Sequence, residues 1–218
     1  KLTIGKFFPA AQLGYYSKAK GFQQIISQQW TAAVSSVAFP VFSQMQDDKK
    51  RLQLAMHRFL THTMIFITPV MITLMVVAEP FIMLLLTGKW APMIPYLQLL
   101  CIVGILYPLH AVNVQVLVAQ GKSKLKFNLE IIKNTLRVIN IIVMYRFGVT
   151  YIIIGEVALS FIALLINTFY TKKMIDYGFI RQMKDITKIV IGAALAGVAT
   201  FGFTLLYSDY WIQLFGGV

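Results

Sequence analysis

Long apolar runs separated by short charged stretches set the pattern of this chain. Runs such as "MIFITPVMITLMVVA" and "IIIGEVALSFIALLI" do not alternate between apolar and polar positions, so they read as helices and not as the strands of a membrane barrel. Crossing the hydrocarbon layer takes about 20 mostly apolar helical residues. Six segments meet or approach that requirement, over residues 14–43, 56–86, 93–119, 124–146, 149–171 and 186–207. The connections between them, "QDDKKR", "LTGKWAP", "GKSK", "RFGVT" and the longer "TKKMIDYGFIRQMKD", leave no space for a sizeable domain outside the bilayer. The pattern predicts an all-α, polytopic integral membrane helical bundle.

Three segments carry polar residues at helical spacing. In the first, within "LGYYSKAKGFQQIISQQW" and beyond, Ser17, Lys20, Gln24, Gln28, Thr31 and Ser35 recur every three or four residues and form one stripe. An ionisable group at depth costs at least ~2.5 kcal/mol, so the stripe has to face protein or a watered cavity. Interhelical hydrogen bonding by the glutamines is one reading, and a cavity wall with an unpaired lysine is the other. Lys18 lies about 100° from Ser17 and off the stripe. The fourth segment carries Glu130, Lys133, Asn134, Arg137 and Asn140, with Glu130 placed to pair locally with Lys133 and Asn134. Arg137, about 20 Å along the helix from its start by the 1.5 Å rise, is either satisfied by a neighbouring helix or lines a cavity.

The fifth segment places Glu156, Ser160, Ala163 and Asn167 on one small, polar face. A carboxyl at that depth is protonated, paired, or part of an ion or proton site. His110 with Asn113, and His62 alone, read as satisfied packing residues. Pro69 and Pro108 bend their helices, as static kinks or as hinges. Ala193 and Gly197 form a small-xxx-small pair that permits close helix contact.

Composition places these segments in a bilayer. The 218 residues are 58% hydrophobic and 13% charged, with a mean hydropathy of +0.71, whereas a soluble domain carries about a quarter charged residues. The net charge of +12 does not point to nucleic acid, because that partner needs a basic stripe on a water-soluble face. The basic residues instead cluster between the apolar runs. If the segments alternate, one side holds Lys49, Lys50, Arg51, Arg58, Lys122, Lys124, Lys126, Lys172, Lys173, Arg181, Lys184 and Lys188. The other holds Lys6, Lys18, Lys20, Lys89 and Arg146. The excess puts the first set in the cytoplasm. The single cysteine, Cys101, allows no intramolecular disulfide. With no glycine-rich phosphate loop, HExxH, G-x-S-x-G elbow or metal-ligand spacing, no enzyme activity, catalytic residue, cofactor or metal is expected. The chain starts at Lys1, and "KLTIGKFF" reads as the tail of a helix already under way, so a fragment is expected.

"IGKFFPAAQLGYYSKA", "FPVFSQMQDD", "EPFIMLLLTGKWAPMIPYLQLLCIVG" and "VLVAQGKSKLKFNLEIIK", in that order, resemble the second half of bacterial polysaccharide and O-antigen flippases, members of the multidrug/oligosaccharidyl-lipid/polysaccharide exporter superfamily. The likeness runs to about Lys173. It implies a second lobe of a two-lobe flippase, with residues 1–172 as the C-terminal lobe (end of helix seven through helix twelve). Residues 173–218 would then be a cytoplasmic loop, an extra helix and an outer tail. It further implies transport of an undecaprenyl-diphosphate-linked oligosaccharide between leaflets of the bacterial inner membrane by alternating access. The partners would be that lipid-linked oligosaccharide, the bilayer and a missing N-terminal lobe.

By the resemblance, the first segment faces the transport cavity. Lys18, Lys20, Gln24, Gln28, Thr31 and Arg137 are then the expected substrate-binding residues, with lysines for phosphate or acidic sugar and glutamines for hydroxyls. Glu156, where the family usually has a small apolar residue, forms with Ser160 and Asn167 a possible ion or packing site. A drug/cation antiporter of the same superfamily and a non-transporting subunit of a polysaccharide synthase are the competing readings. In a cysteine-free background, cysteines at Ser123 and Tyr177 are expected to be labelled only from the cytoplasm and one at Thr87 only from outside. Labelling of positions 87 and 123 from the same side would overturn the helix assignment.

Overall fold

The computed structural model describes residues 9–206; the expected helix tail at Lys1–Phe8 and the outer tail beyond residue 206 lie outside them. The chain forms α1 (Ala10–Gln44), α2 (Lys49–Val76), α3 (Ala78–Leu86), a 3-10 turn (Gly88–Met93), α4 (Ile94–Ala119), α5 (Ser123–Met144), a second 3-10 turn (Tyr145–Phe147), α6 (Val149–Ile175) and α7 (Phe179–Leu206). Four stretches, Lys49–Val76, Gly88–Ala119, Val149–Ile175 and Phe179–Thr204, are long and apolar enough to cross a bilayer. The fold is a helical membrane bundle. The two long helices outside that set, α1 and α5, carry Lys18 and Lys20, and Lys133 and Arg137, respectively.

The expected segments match the observed helices closely, with two informative departures. Residues 56–86 do not form one helix: α2 ends at Val76 and α3 begins at Ala78. Pro80 has no N–H to give the carbonyl of Val76, so the ladder breaks there. The second departure is the expected long connection of residues 171–185. It shrinks to Asp176–Gly178, with α6 running on to Ile175 and α7 starting at Phe179. Asp176 closes α6 in the left-handed conformation, φ 55°, and Gly148 opens it with φ 107°, a value that favours glycine. Asp48 caps α2 by accepting from the backbone N–H groups of Lys50 and Arg51 at 3.1 and 3.0 Å.

α4 is the mast of the bundle, packed by α1, α2 and α6, while α7 lies against α2 and α5 against α6. Two apolar clusters stand at opposite ends. At the basic end, Phe42, Leu52, Met56, Leu60, Leu109, Val116, Ile175 and Ile186 pack together, joining the C-terminal ends of α1, α4 and α6 to the N-terminal ends of α2 and α7. At the other end Tyr16, Ala19, Ile67, Met71, Leu97, Leu100 and Ile153 do the same with the opposite helix ends. Consecutive long helices through this core therefore run up and down.

Small residues set the closest approaches. A Cβ on Gly197 would come within 2.5 Å of Ile72 Cγ2, so the Ala193/Gly197 pair seats α7 on α2. A buried amide pair fixes the other end of α7. Asn113 donates to Gln182 Oε1 at 2.8 Å, Gln182 donates back to Asn113 Oδ1 at 2.9 Å, and Gln182 also donates to the Tyr177 carbonyl at 2.9 Å. Tyr177 itself is buried in the turn, and its hydroxyl donates to Asp185 at 2.5 Å; burial first, and then that carboxylate, push its phenol above the usual range. A cysteine at Tyr177 would thus be poorly reachable, and exposed Asp176 is the better labelling position.

α5 is held differently from the rest, since Leu129 is its one buried residue. The Asn140 side chain lies on Gly155 and donates to the Ile152 carbonyl at 3.0 Å. A Cβ on Gly155 would fall 1.9 Å from Asn140 Oδ1, so Gly155→Ala is expected to lower thermal stability in detergent by about 1–3 kcal/mol. Gly155→Ala/Asn140→Ala should recover much of that loss, and a melting temperature unchanged by the single substitution would show that α5 does not rest there.

Candidate functional site

A cavity of about 460 Å³ opens between α1, α4, α5 and α6. In α1 and α6 its residues fall between those of the two apolar clusters, so it occupies the middle of the bundle. α1 contributes Thr31 and Ser35, α4 Tyr107, His110 and Gln115, α5 Glu130, Lys133 and Arg137, and α6 Glu156 and Ser160. Helical spacing explains the wall. Glu130, Lys133 and Arg137 stand at intervals of three and four along one face of α5, while Ile131, Ile132, Val138 and Ile139 are exposed on its remaining surface.

Charge in this wall is largely neutralised in pairs. Glu156 accepts from Lys20 Nζ at 2.6 Å and from the Tyr16 hydroxyl at 3.1 Å, and Lys20 also donates to the Tyr16 oxygen at 2.8 Å. The Lys20 and Glu156 side chains are only 20% and 13% exposed, which makes this ion pair a tie between α1 and α6 and not a loose surface contact. Lys133 is bound to Glu130 one turn away. Arg137 donates to neutral Asn134 at 2.9 Å and forms no ion pair with a carboxylate among the described residues. The uncompensated charge of the cavity wall is therefore a guanidinium, whose planar fork suits phosphate or carboxylate oxygens. Deeper in, Asn167 donates to His110 Nδ1 at 3.2 Å, which leaves the ring proton on Nε2 facing Ser160 Oγ at 3.0 Å. Asn167 Oδ1 is buried without a hydrogen-bond partner among the described residues. No group of three or more metal-ligating side chains occurs among the described residues.

Comparison with known proteins agrees with this architecture. Residues 1–95 match the family model described as polysaccharide biosynthesis protein. The chain is 29% identical over 135 residues to the lipopolysaccharide biosynthesis protein WzxC of Escherichia coli (strain K12), covering 62% of this chain and 27% of that protein. It is 25% identical over 213 residues to the teichuronic acid biosynthesis protein TuaB of Bacillus subtilis (strain 168), covering 97% and 44%. It is also 34% identical over 108 residues to the succinoglycan biosynthesis transport protein ExoT of Rhizobium meliloti (strain 1021), covering 49% and 22%. The chain is thus similar to bacterial proteins of polysaccharide biosynthesis and transport. Its fold is also that of the lipid II flippase MurJ in its inward closed conformation, with a TM-score of 0.76 at 19% identity, covering 94% of this chain and 44% of that one. The matched regions thus span less than half the length of each of these relatives.

Within this bundle, Thr31, Arg137, Glu156 and Ser160 come together in one cavity, Lys20 reaches it through Glu156, and Asn167 through His110. Gln24 and Gln28 are half-buried on α1 and lie outside the cavity lining. Lys18 is exposed at the end away from the basic cluster, with its ammonium 5.8 Å from the Trp90 ring centre. The expectation of an unpaired Lys20 is corrected by its bond to Glu156. The buried polar stripe of α1 is also rotated from the expected one: it runs Gln23, Ser27, Thr31. Gln23 Nε2 donates to Ser27 Oγ at 2.6 Å, and Ser27 and Thr31 donate to the carbonyls one turn back at 2.9 and 2.6 Å. This ladder satisfies itself and needs no ligand. Gln23 fits against α4 because Gly104 faces it, where a Cβ would meet its side chain at 3.2 Å.

Removing one member of a part-buried ion pair strands the other, so Lys20→Met is expected to lower stability by roughly 2 kcal/mol, whereas Lys20→Met/Glu156→Met should stay within about 1 kcal/mol of the native protein. Thermal unfolding in detergent measures both. Equal losses in the single and double variants would show that the pair does not tie α1 to α6.

Proposed function

We propose that this chain forms part of an inner-membrane flippase that moves a polyprenyl-diphosphate-linked oligosaccharide from the inner to the outer leaflet for cell-surface polysaccharide export. The observation that carries this reading is the exposed Arg137 guanidinium, without a carboxylate partner among the described residues, on the wall of a polar cavity at mid-height of a membrane bundle. A cation at that depth is retained where an anion meets it. A diphosphate headgroup supplies that anion, and the sugar hydroxyls would find Thr31, Ser35, Gln115 and Ser160 along the same walls. The names of the relatives support the class of cargo: one is a transport protein of succinoglycan biosynthesis, and the fold is shared with a lipid II flippase.

In this reading the bundle is the second lobe, and it works by alternating access, rocking against the lobe that the longer relatives carry, with the headgroup in the cavity and the polyprenyl tail in lipid. The contact set narrows to Thr31, Arg137 and Ser160 with Lys20 and Glu156 at one end, and no longer includes Lys18, Gln24 or Gln28. The competing cation antiporter needs a carboxylate free to bind its ion. Glu156 is already engaged by Lys20 and Tyr16, which weighs against it.

In an export complementation assay, Arg137→Gln is expected to reduce surface polysaccharide at least about tenfold with unchanged membrane protein level, in line with loss of a charge-assisted contact. Arg137→Lys should keep the charge and part of the export, and Lys18→Glu should be near native. Full export by Arg137→Gln would refute the cavity assignment.

A further inference from the structure

A second concavity, of about 490 Å³, lies on the outside of the bundle between α1 and α2. Trp30, Val34 and Val37 form one wall and Phe59 the other, with Arg58 and His62 on the α2 edge. Trp30 is stacked on Phe66 with ring centres 3.8 Å apart, and it stays 39% exposed. His62 Nδ1 is bound to the Arg58 carbonyl at 2.6 Å, which turns the ring toward the arginine's own turn of helix. Arg58 is exposed and has no carboxylate partner among the described residues. It stands nine residues into α2, about 13 Å from the start of the helix by the 1.5 Å rise.

These features do not suit water. An apolar trough that opens sideways from a membrane bundle faces hydrocarbon, and a fixed cation at that depth has to reach up to the interface or draw an anion down. The start of α2, with Lys49, Lys50 and Arg51, marks the nearer interface. One ligand satisfies both parts of the site: an amphiphile with an apolar chain for the Trp30–Phe59 trough and a phosphate for the Arg58 fork. We propose that this groove is a binding site for an anionic phospholipid of the surrounding leaflet, with the phosphate on Arg58 and one acyl chain along α1. The site is separate from the central cavity, so it stands or falls independently of the transport reading.

Trp30 provides the readout. These 218 residues contain three tryptophans, and with Trp90→Phe, Trp211→Phe and phenylalanine at every tryptophan outside them the remaining fluorescence is that of Trp30. This variant is reconstituted in phosphatidylcholine vesicles containing a minor fraction of either phosphatidylglycerol or phosphatidylcholine brominated on its acyl chains. A single arginine near an anionic headgroup predicts roughly fivefold preferential occupancy, so brominated phosphatidylglycerol should quench Trp30 at a correspondingly lower mole fraction. Arg58→Gln should make the two lipids equivalent, Arg58→Lys should keep part of the preference, and Val37→Phe should narrow the trough and weaken quenching by both lipids. Inorganic phosphate in the buffer should change nothing. Equal quenching in the native background, a preference that survives Arg58→Gln, or loss of the preference on adding inorganic phosphate each overturns the proposal. Absence of quenching by either lipid overturns it as well, because the groove would then be covered by protein.

Discussion

The intolerance of hydrocarbon for unpaired polar groups organises this bundle. α1 and α5 carry side chains that cannot face lipid, and the remaining helices are placed so that they do not have to. α4 gives the packing surface for the self-bonded ladder of Gln23, Ser27 and Thr31, helped by the missing side chain at Gly104. α6 gives Glu156 to Lys20 and a bare Gly155 to Asn140. What stays unneutralised after these pairings, the charge of Arg137, is what makes the central space chemically specific.

The architecture was readable because apolar length and helix-breaking residues are local properties. The up-and-down order of the core helices followed from runs and spacings, and the Ala193/Gly197 pair announced a close helix contact without naming its partner, Ile72 on α2. Where reading failed, the cause was also local: Pro80 breaks a continuous apolar run without shortening it, and the stretch from Asp176 to Asp185 looks loop-like although most of it is helix. The charged residues there suit the helix end as well as they suit a loop.

The site was legible only by face. Spacing placed Thr31 and Arg137 on inward-looking stripes, and the α6 set of Glu156, Ser160 and Asn167 on another. Spacing cannot report partners 136 residues apart, which is why Lys20 read as unpaired when Glu156 neutralises it. Nor could it separate two adjacent stripes of α1, since Gln23 and Gln24 differ by one helical step and only the neighbour α4 decides which is buried. Arg58 was counted on the same side as Lys49, Lys50 and Arg51, and it stands nine residues into α2.

α5 rests on one buried leucine and a contact between Asn140 and Gly155, while the apolar clusters at either end of the bundle are assembled almost wholly from other helices. The architecture and the charged cavity wall are thus carried by different parts of the chain. The scaffold can be kept while the panel bearing Glu130, Lys133 and Arg137 is rewritten, so descendants of one bundle could change the chemistry of the central space through substitutions that folding scarcely registers.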